Sequence, residues 1–321
     1  MFINRLPGES TREKVRNLGV VGLGLLAFLS VMRFVEIDFF LLLAMTALAP
    51  WAFLGLAIVV AGLTDWKALL VVVVAAGALV VVSIPGPVPP RTDCEVSGSN
   101  ALNEIVVYSH NTLFGTADPT ELAEQVSAVE ADIILLQEAD AGFEQRLAAL
   151  LDDYPHRAQL GLQAVLSRWE LTDVERALPS QSDTQSLVGA TVQAPGGDVR
   201  LINVHAAPPH IPGGRASQRV QFDGIAEIES PIPVLAMGDF NADPSDAFYR
   251  SFVERGGFVD AHQAVGCGFG VTWSPLPGVG PALLGLDHAL VSKDFTVEAF
   301  QVLDYAGSDH KGIAVRVSIV P

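Results

Sequence analysis

The chain has 321 residues, half of them hydrophobic, and a formal net charge of −17 at pH 7. It is too long for one small domain, and its apolar fraction is higher than that of an ordinary soluble protein. Of the 19 Lys and Arg, seven precede residue 93, and of the 36 Asp and Glu, five do. Residues 93–321 therefore contain 12 basic and 31 acidic residues, a net formal charge of −19. Such an acidic segment has few cations to replace the counterions of duplex DNA, which argues against a nuclease.

Three apolar runs near the start of the chain, residues 18–32, 39–63 and 69–84, carry most of the hydrophobic excess. The second run exceeds the roughly 20 residues that cross a bilayer, and the other two approach that length with their flanking residues. The runs therefore predict a membrane domain at 17–84 with three transmembrane helices, in preference to buried core helices. Cationic residues before the first run predict a cytoplasmic N-terminus at 1–16.

An odd number of spans predicts a multi-pass protein of the bacterial plasma membrane whose remaining chain lies outside the cytoplasm; the reversed topology is the alternative. Prolines crowd residues 85–93 and predict a semi-rigid linker. Residues 94–321 then predict one domain of ordinary size, which contains both cysteines. An exported location permits a disulfide between Cys94 and Cys267, and two buried thiols are the alternative.

Within this domain, segments typical of strands alternate with segments typical of helices. β-Branched and aromatic residues predict a first strand at 103–108, and apolar residues at helical spacing predict a helix at 121–130. A second helix is predicted at 216–228. Further strands are predicted, in chain order, at 132–136, 161–167, 186–193, 199–204, 234–237, 286–291 and 312–319.

Polar residues that can bind metals or phosphates lie at the ends of these predicted strands. They are Asn111, Glu138, His205, Asp239, Asn241, Asp287, Asp309 and His310. Asp239 and Asn241 are two residues apart and point to the same side, because strand side chains alternate. Each residue alone could cap a turn or fill a structural role, but eight of them at strand ends favour one assembled site.

Seven segments carry a resemblance to a known superfamily. They are Ser-His-Asn111, Leu-Leu-Gln-Glu138, Ala-Val-Leu-Ser-Arg168, Ile-Asn-Val-His205, Met-Gly-Asp239-Phe-Asn241, Leu-Asp287-His and Gly-Ser-Asp309-His310. In this order, over residues 100–319, they resemble the endonuclease/exonuclease/phosphatase superfamily, and the three leading spans resemble its bacterial VanJ-type subgroup. The resemblance implies an α/β (α+β) fold, a four-layered sandwich of two mixed, mostly antiparallel sheets flanked by helices.

The resemblance also implies a hydrolase that needs Mg²⁺, with Mn²⁺ as an alternative. Glu138 is then the principal metal ligand, with Asn111 beside it, and Asp309 is a candidate ligand whose role in binding a second metal stays open. Magnesium prefers oxygen ligands and keeps several waters, so one or two carboxylates and the substrate phosphate are enough to bind it.

The catalytic roles follow from the same resemblance. His310 is expected to activate a water, because an unperturbed imidazole titrates near neutral pH. Asp239 is expected to orient that water, while Asn241 and His205 hold phosphate oxygens. Asp287 or Asp309 is expected to hydrogen-bond an imidazole and fix its tautomer, and the sequence leaves open whether Asp287 pairs with His310 or with His205.

These expectations combine into a membrane-anchored phosphoesterase that acts on a lipid-linked phosphate or another small phosphoester. The alternatives are an extracytoplasmic nuclease, although nucleic acid is the less favoured substrate, and an inactive membrane-anchored binding protein. No obligate protein partner is evident from the sequence. Trp273 is expected to fill core rather than to cover a ligand, and His110, His210 and His288 have no assigned role.

Overall fold

The structure is a computed structural model that describes residues 9–32, 49, 51–57, 95–96, 103–177, 186–265, 268–277 and 281–320. The first element is α1, Glu9–Met32. The other helices are α2 Pro119–Ala128, α3 Ala141–Ala148, α4 Gly214–Ala226, α5 Ala247–Arg255 and α6 Ala261–Val265. The strands are β1 Glu104–Asn111, β2 Ile133–Gln137, β3 His156–Leu160, β4 Gln163–Ser167, β5 Leu171–Arg176, β6 Leu187–Ala194, β7 Gly197–His205, β8 Val234–Asp239, β9 Val259–Asp260, β10 Asp287–Val291, β11 Phe295–Val302 and β12 Ile313–Ile319.

The structure contradicts the predicted location, that of a multi-pass integral protein of the plasma membrane, and this prediction is wrong. In the part of the chain that it describes, no helix combines the length and the apolar sequence needed to cross a membrane. The first predicted span, 18–32, forms the later part of α1, but the sequence of α1 before residue 18 is largely charged. The uninterrupted apolar stretch is therefore shorter than the roughly 20 residues of a span.

Several other predictions fall outside the described residues. The predicted span at 69–84 and most of the one at 39–63 are among them. The linker at 85–93 and both cysteines, Cys94 and Cys267, are also outside. The linker and the disulfide therefore stay predictions.

Residues 103–320 form two six-stranded sheets, apart from short undescribed segments. Sheet 1 has the order β11-β12-β1-β2-β4-β3, and sheet 2 has the order β5-β6-β7-β8-β10-β9. Only β1 with β2 and β7 with β8 are parallel among the described pairs; the other pairs are antiparallel. The predicted pair of mixed, mostly antiparallel sheets flanked by helices is confirmed.

Alternation of side chains along the buried strands builds the layers. In β1, Val106 and Tyr108 pack in one core cluster with Leu122 of α2, whereas Ile105 and Val107 pack in a second cluster that contains residues of both sheets. A strand whose two faces are both buried reads as a nearly continuous apolar run. α2 and α3 thus cover sheet 1, and the second cluster joins the sheets.

The outer face of sheet 2 packs against α4 and α5 through aromatic side chains. Phe222 of α4 and Phe252 of α5 stack with ring centroids 4.4 Å apart, in a cluster that also contains Ile202 of β7 and Ala236 of β8. This packing fixes β7 and β8, whose ends carry two of the predicted site residues.

Candidate active site

The register of sheet 2 brings three predicted site residues into one row. His205, the last residue of β7, is the partner of Asp239, the last residue of β8, because these strands are parallel. Asp239 is also the partner of Asp287, the first residue of β10, because β10 runs antiparallel to β8. Neighbouring strands lie about 4.8 Å apart, so the three side chains share one edge of the sheet.

Sheet 1 contributes to the same place through the ends of β1 and β2. Asn111 donates a hydrogen bond from Nδ2 to Asp239 Oδ2 over 3.1 Å, which connects the two sheets at the site. Asn241 donates from its backbone N to Asp239 Oδ1 over 2.8 Å and from Nδ2 to Oδ2 over 3.1 Å. Burial raises the pKa of Asp239 to about 6. The carboxylate is therefore mostly ionised at neutral pH.

Glu138 follows β2 in a left-handed backbone conformation, with φ of 53°. Its Oε2 accepts a hydrogen bond from the backbone N of Phe114 over 3.1 Å, and its Oε1 lies 3.4 Å from His205 Nε2. Burial acts to raise the pKa of Glu138, but hydrogen bonds from His205 and Asn111 outweigh it, so the pKa is lowered. Glu138 is therefore an anion at neutral pH, with a side chain only 13% exposed.

His310 lies between two carboxylates. Its Nδ1 is 2.9 Å from Asp287 Oδ2, and its Nε2 is 3.8 Å from Asp239 Oδ2. The structure therefore pairs Asp287 with His310, the first of the two partners that the sequence leaves open. Burial acts to lower the pKa of His310, but the charges of Asp287 and Asp239 raise it to about 10.

The loop before β12 holds His310 in place through Ser308. The Ser308 hydroxyl donates to the backbone O of Asn111 over 2.7 Å and accepts from the backbone N of His310 over 3.1 Å. Asp309 has a different partner from His310: its Oδ2 accepts a hydrogen bond from Trp273 Nε1 over 3.1 Å. Trp273 thus binds a predicted site residue, and one oxygen of Asp309 is already engaged.

His205 and Asn241, the two residues predicted to bind phosphate oxygens, both lie beside Asp239. Asn241 has a positive φ of 49° and donates from Nδ2 to the backbone O of Ala206 over 3.0 Å. His205 faces Glu138 and Asp239 through Nε2, while its buried Nδ1 has no hydrogen-bond partner in the structure. His205 can meet an oxygen that enters the site only through Nε2, because Nδ1 is buried. Both hydrogens of the Asn241 amide have acceptors, Ala206 O and Asp239 Oδ2, so a phosphate oxygen would have to replace one of them.

Two sets of residues are candidates for holding a divalent cation. Asp239, Asp287 and His310 offer ligand atoms within 4.8 Å of one another. His310 Nδ1 and Asp287, however, are already joined at hydrogen-bond distance, so we favour Glu138 with Asn111. The anionic Glu138 carboxylate provides the oxygens that Mg²⁺ prefers. The Asn111 amide oxygen accepts one hydrogen bond, from the backbone N of Leu113, and has a second lone pair for a cation, so the two residues fit it.

Two pairs of buried polar residues that were not predicted from the sequence support the site. His288 lies 2.8 Å and 3.0 Å, through Nε2, from the backbone oxygens of Ala242 and Gly285, and its Nδ1 lies 3.5 Å from Asp260 Oδ2. Acceptors on both nitrogens favour the imidazolium form; burial opposes it, but the Asp260 partner raises the pKa of His288. His288 thereby links the loop after β8, which carries Asn241, to the loop before β10.

The second pair joins the two sheets. Gln137 donates from Nε2 to Asn203 Oδ1 over 2.7 Å, and Asn203 donates to the backbone O of Leu136 over 3.0 Å. Both residues are fully buried, Gln137 directly before Glu138 and Asn203 two residues before His205. The available signal was Asn203, a short polar residue inside the predicted strand 199–204, because a buried amide needs a partner; Gln137 lies just beyond the predicted strand 132–136.

Comparisons with known proteins match most of the part of the chain that forms the two sheets. The model of the endonuclease/exonuclease/phosphatase family matches residues 108–310. A solved endonuclease/exonuclease/phosphatase family protein from Bacteroides thetaiotaomicron is 19% identical, with a TM-score of 0.55 over 67% of this chain and 95% of that chain. The mannosyl-6-phosphatase of the same species is 18% identical, with a TM-score of 0.55 over 67% and 100%.

A third solved structure, humanized D. rerio TDP2, is 17% identical, with a TM-score of 0.53 over 67% of this chain and 99% of that chain. At these identities the solved structures show a shared fold alone. No curated protein sequence matches the chain. None of these comparisons tests the resemblance to the VanJ-type subgroup.

Proposed function

The chain belongs to the endonuclease/exonuclease/phosphatase family of metal-dependent, phosphoester-hydrolysing enzymes, and from this premise we propose that it is a Mg²⁺-dependent hydrolase of small phosphoesters. The observation that carries the proposal is the arrangement of His310 between Asp287 and Asp239, beside the buried anion of Glu138. It combines a proton-transferring group and a cation site at one sheet edge.

In the proposed reaction, a water between Asp239 and His310 attacks the phosphorus atom, the P–O bond to the alcohol breaks, and the leaving alkoxide takes a proton from solvent. The gap of 3.8 Å between His310 Nε2 and Asp239 Oδ2 leaves both atoms facing the same space. Asp239 orients the water by accepting one of its hydrogens, and Nε2 of a neutral His310 accepts the proton that the water loses. Asp287 fixes the tautomer, because its hydrogen bond to Nδ1 leaves Nε2 as the base.

Glu138 and Asn111 are the proposed ligands of the cation, and Mn²⁺ is the alternative ion. When bound, the cation polarises the phosphoryl oxygen and, by its positive charge, favours the neutral form of His310. His205 and Asn241 are proposed to bind the remaining phosphate oxygens. His205 also stabilises the Glu138 anion from a distance of 3.4 Å.

The charge balance favours a small substrate over duplex DNA. Residues 93–321 carry a net formal charge of −19, and the described ion pairs of the site contain carboxylates and histidines rather than Lys or Arg. Duplex DNA requires clustered cations along its phosphates. A phosphoester that presents a single phosphate group needs only the cation and the polar groups of the site.

The first test measures hydrolysis of phosphomonoesters, phosphodiesters, lipid phosphates and DNA by the full chain, with Mg²⁺ and then with EDTA. Glu138→Gln is expected to raise the Mg²⁺ concentration for half-maximal activity at least about tenfold, since one charged ligand is lost. Glu130→Gln is the matched control, because Glu130 is an exposed glutamate that also has a positive φ, of 52°.

Activity that is equally strong in EDTA, or an unchanged Mg²⁺ requirement in Glu138→Gln, would refute the proposed metal site. His310→Ala is expected to lower kcat by about 10²- to 10⁴-fold, the usual contribution of a general base. Cleavage of DNA in preference to every small ester would contradict the proposed substrate class.

A further inference from the structure

The loop between β1 and α2 fixes the backbone of Phe114 at the proposed cation site and leaves its aromatic ring exposed. The backbone N of Phe114 donates to Glu138 Oε2 over 3.1 Å, while its side chain is 61% exposed. Isolated apolar residues on a surface are common and need no function. Phe114 differs because its backbone is fixed to a carboxylate of the site.

Backbone strain is concentrated at the same place. Seven non-glycine residues have a positive φ in the described parts of the chain, and four of them adjoin the site. These four are Leu113, Phe114, Glu138 and Asn241. Strained residues persist only where surrounding interactions enforce them, and they cluster where a ligand is bound.

Hydrogen bonds within this loop enforce the conformation. Thr112 Oγ1 donates to the backbone O of Glu138 over 2.9 Å and accepts from the backbone N of Gly115 over 3.3 Å. Asn111 Oδ1 accepts from the backbone N of Leu113 over 3.0 Å. The loop therefore holds Phe114 beside the site instead of letting its ring join the core.

Two other exposed apolar side chains lie on loops that adjoin site residues. Ile211 lies on the loop between His205 and α4 and is 36% exposed. Leu276 is 61% exposed and forms a turn with Ser274, whose backbone N donates to the backbone O of Asp309 over 3.0 Å. The site is thus polar in its interior and has apolar groups on its neighbouring loops.

We propose that Phe114 is a specificity-determining residue that contacts an apolar group attached directly to the substrate phosphate, and that the substrates are phosphoesters of an alkyl, prenyl or similar apolar alcohol. The proposal rests on the proposed phosphoesterase function and names its substrate class. A contact between the exposed ring and such a group would remove apolar substrate surface from water. A sugar phosphate or nucleotide would place hydroxyl groups against the same ring and gain less.

The test uses two matched series with chains from methyl to hexyl, measured on the full chain. Alkylphosphonates, which are not hydrolysed, report binding by calorimetry; alkyl phosphates and methyl alkyl phosphodiesters report turnover. A fully buried methylene strengthens binding by about fourfold. A methylene that contacts the protein on one side only should therefore strengthen binding by about twofold. Phe114→Asn should abolish most of this dependence, and asparagine tolerates the left-handed backbone.

Leu150→Asn is the control, because Leu150 is 50% exposed in the turn after α3, at the end of that helix remote from Glu138 in sequence. It should keep the chain-length dependence of the parent protein. Turnover that needs Mg²⁺ but is the same at every chain length would overturn this inference and leave the proposed function intact. A dependence that survives in Phe114→Asn would also overturn it. If no compound of either series is bound or hydrolysed, the proposed function itself fails.

Discussion

The pair formed by Asp287 and His310 gives the sharpest prediction about the proposed mechanism. Asp287→Asn keeps the shape of the side chain but removes the charge that lies 2.9 Å from His310 Nδ1. A hydrogen bond to a charged group contributes about 1.5 to 3 kcal/mol, and every 1.4 kcal/mol is a factor of ten. We therefore expect kcat to fall about 10- to 150-fold.

The same substitution changes how stability depends on pH. The pKa of His310 is raised from 6.5 to about 10, with Asp287 the largest cause that acts against burial. One pKa unit corresponds to about 1.4 kcal/mol, so this group contributes about 5 kcal/mol below pH 6.5. Because the folded state holds this proton more tightly, the contribution is lost as pH rises from 6.5 through 10. Asp287→Asn should reduce that loss.

The assays are the pH profile of kcat and urea unfolding at several pH values between 6 and 10. Asp198→Asn is the control, because it removes one exposed carboxylate from the start of β7, at the other end of the strand from His205. It should match the parent protein in both assays. A kcat within twofold of the parent, together with an unchanged fall in stability with pH, would refute the assigned role of Asp287.

Two further predictions concern the support of the site. Gly238→Ala would place a Cβ 2.1 Å from a backbone oxygen of β7, at a φ of 143°. It should lower the free energy of unfolding by about 3 kcal/mol. Gly213 also has a positive φ, of 79°, but a Cβ there would have no atom within 4 Å, so Gly213→Ala should cost only about 1 kcal/mol. Equal losses in urea unfolding would contradict the importance of the close approach. His288→Phe leaves the Asp260 carboxylate without its imidazole and should cost about 3 to 5 kcal/mol. Tyr249→Phe removes one hydrogen bond to that carboxylate and should cost less, about 1.5 to 3 kcal/mol. Equal costs in urea unfolding would show that the imidazole is no more important than the tyrosine hydroxyl.

Eight of the twelve described strands were predicted, and these eight are buried along most of their length. The strands β3, β5, β9 and β11 were not predicted, because they carry exposed or half-buried residues and lack a continuous apolar run. The predicted strand at 132–136 corresponds to β2, and the one at 312–319 corresponds to β12, within one residue at each end. The sequence analysis did not identify α3, although Asp140 caps it and Phe143 and Leu147 lie on its buried face. A helix of two turns gives too short a periodic pattern to stand out.

The site could be predicted only as a set of residues at strand ends. Which carboxylate meets which imidazole depends on register: Asp287 is opposite Asp239 because β10 is antiparallel to β8. The contact between Trp273 and Asp309 joins residues 36 positions apart, and no local pattern encodes it. Trp273 was expected to fill core, and its indole nitrogen instead binds an oxygen of the site.

The order of strands in sheet 1 also determines when during synthesis the enzyme becomes complete. β12 lies directly beside β1, although the ribosome makes every strand of sheet 2 between them. A nascent chain that ends after β10 already contains Asn111, Glu138, His205 and Asp287, but it lacks His310 and leaves one edge of β1 without hydrogen-bond partners. An open edge of this kind pairs readily with other chains. Fragments released before His310 and β12 are made should therefore aggregate without hydrolysing any substrate. One short late segment, the loop that carries His310 together with β12, both completes the proposed site and covers the open edge of β1.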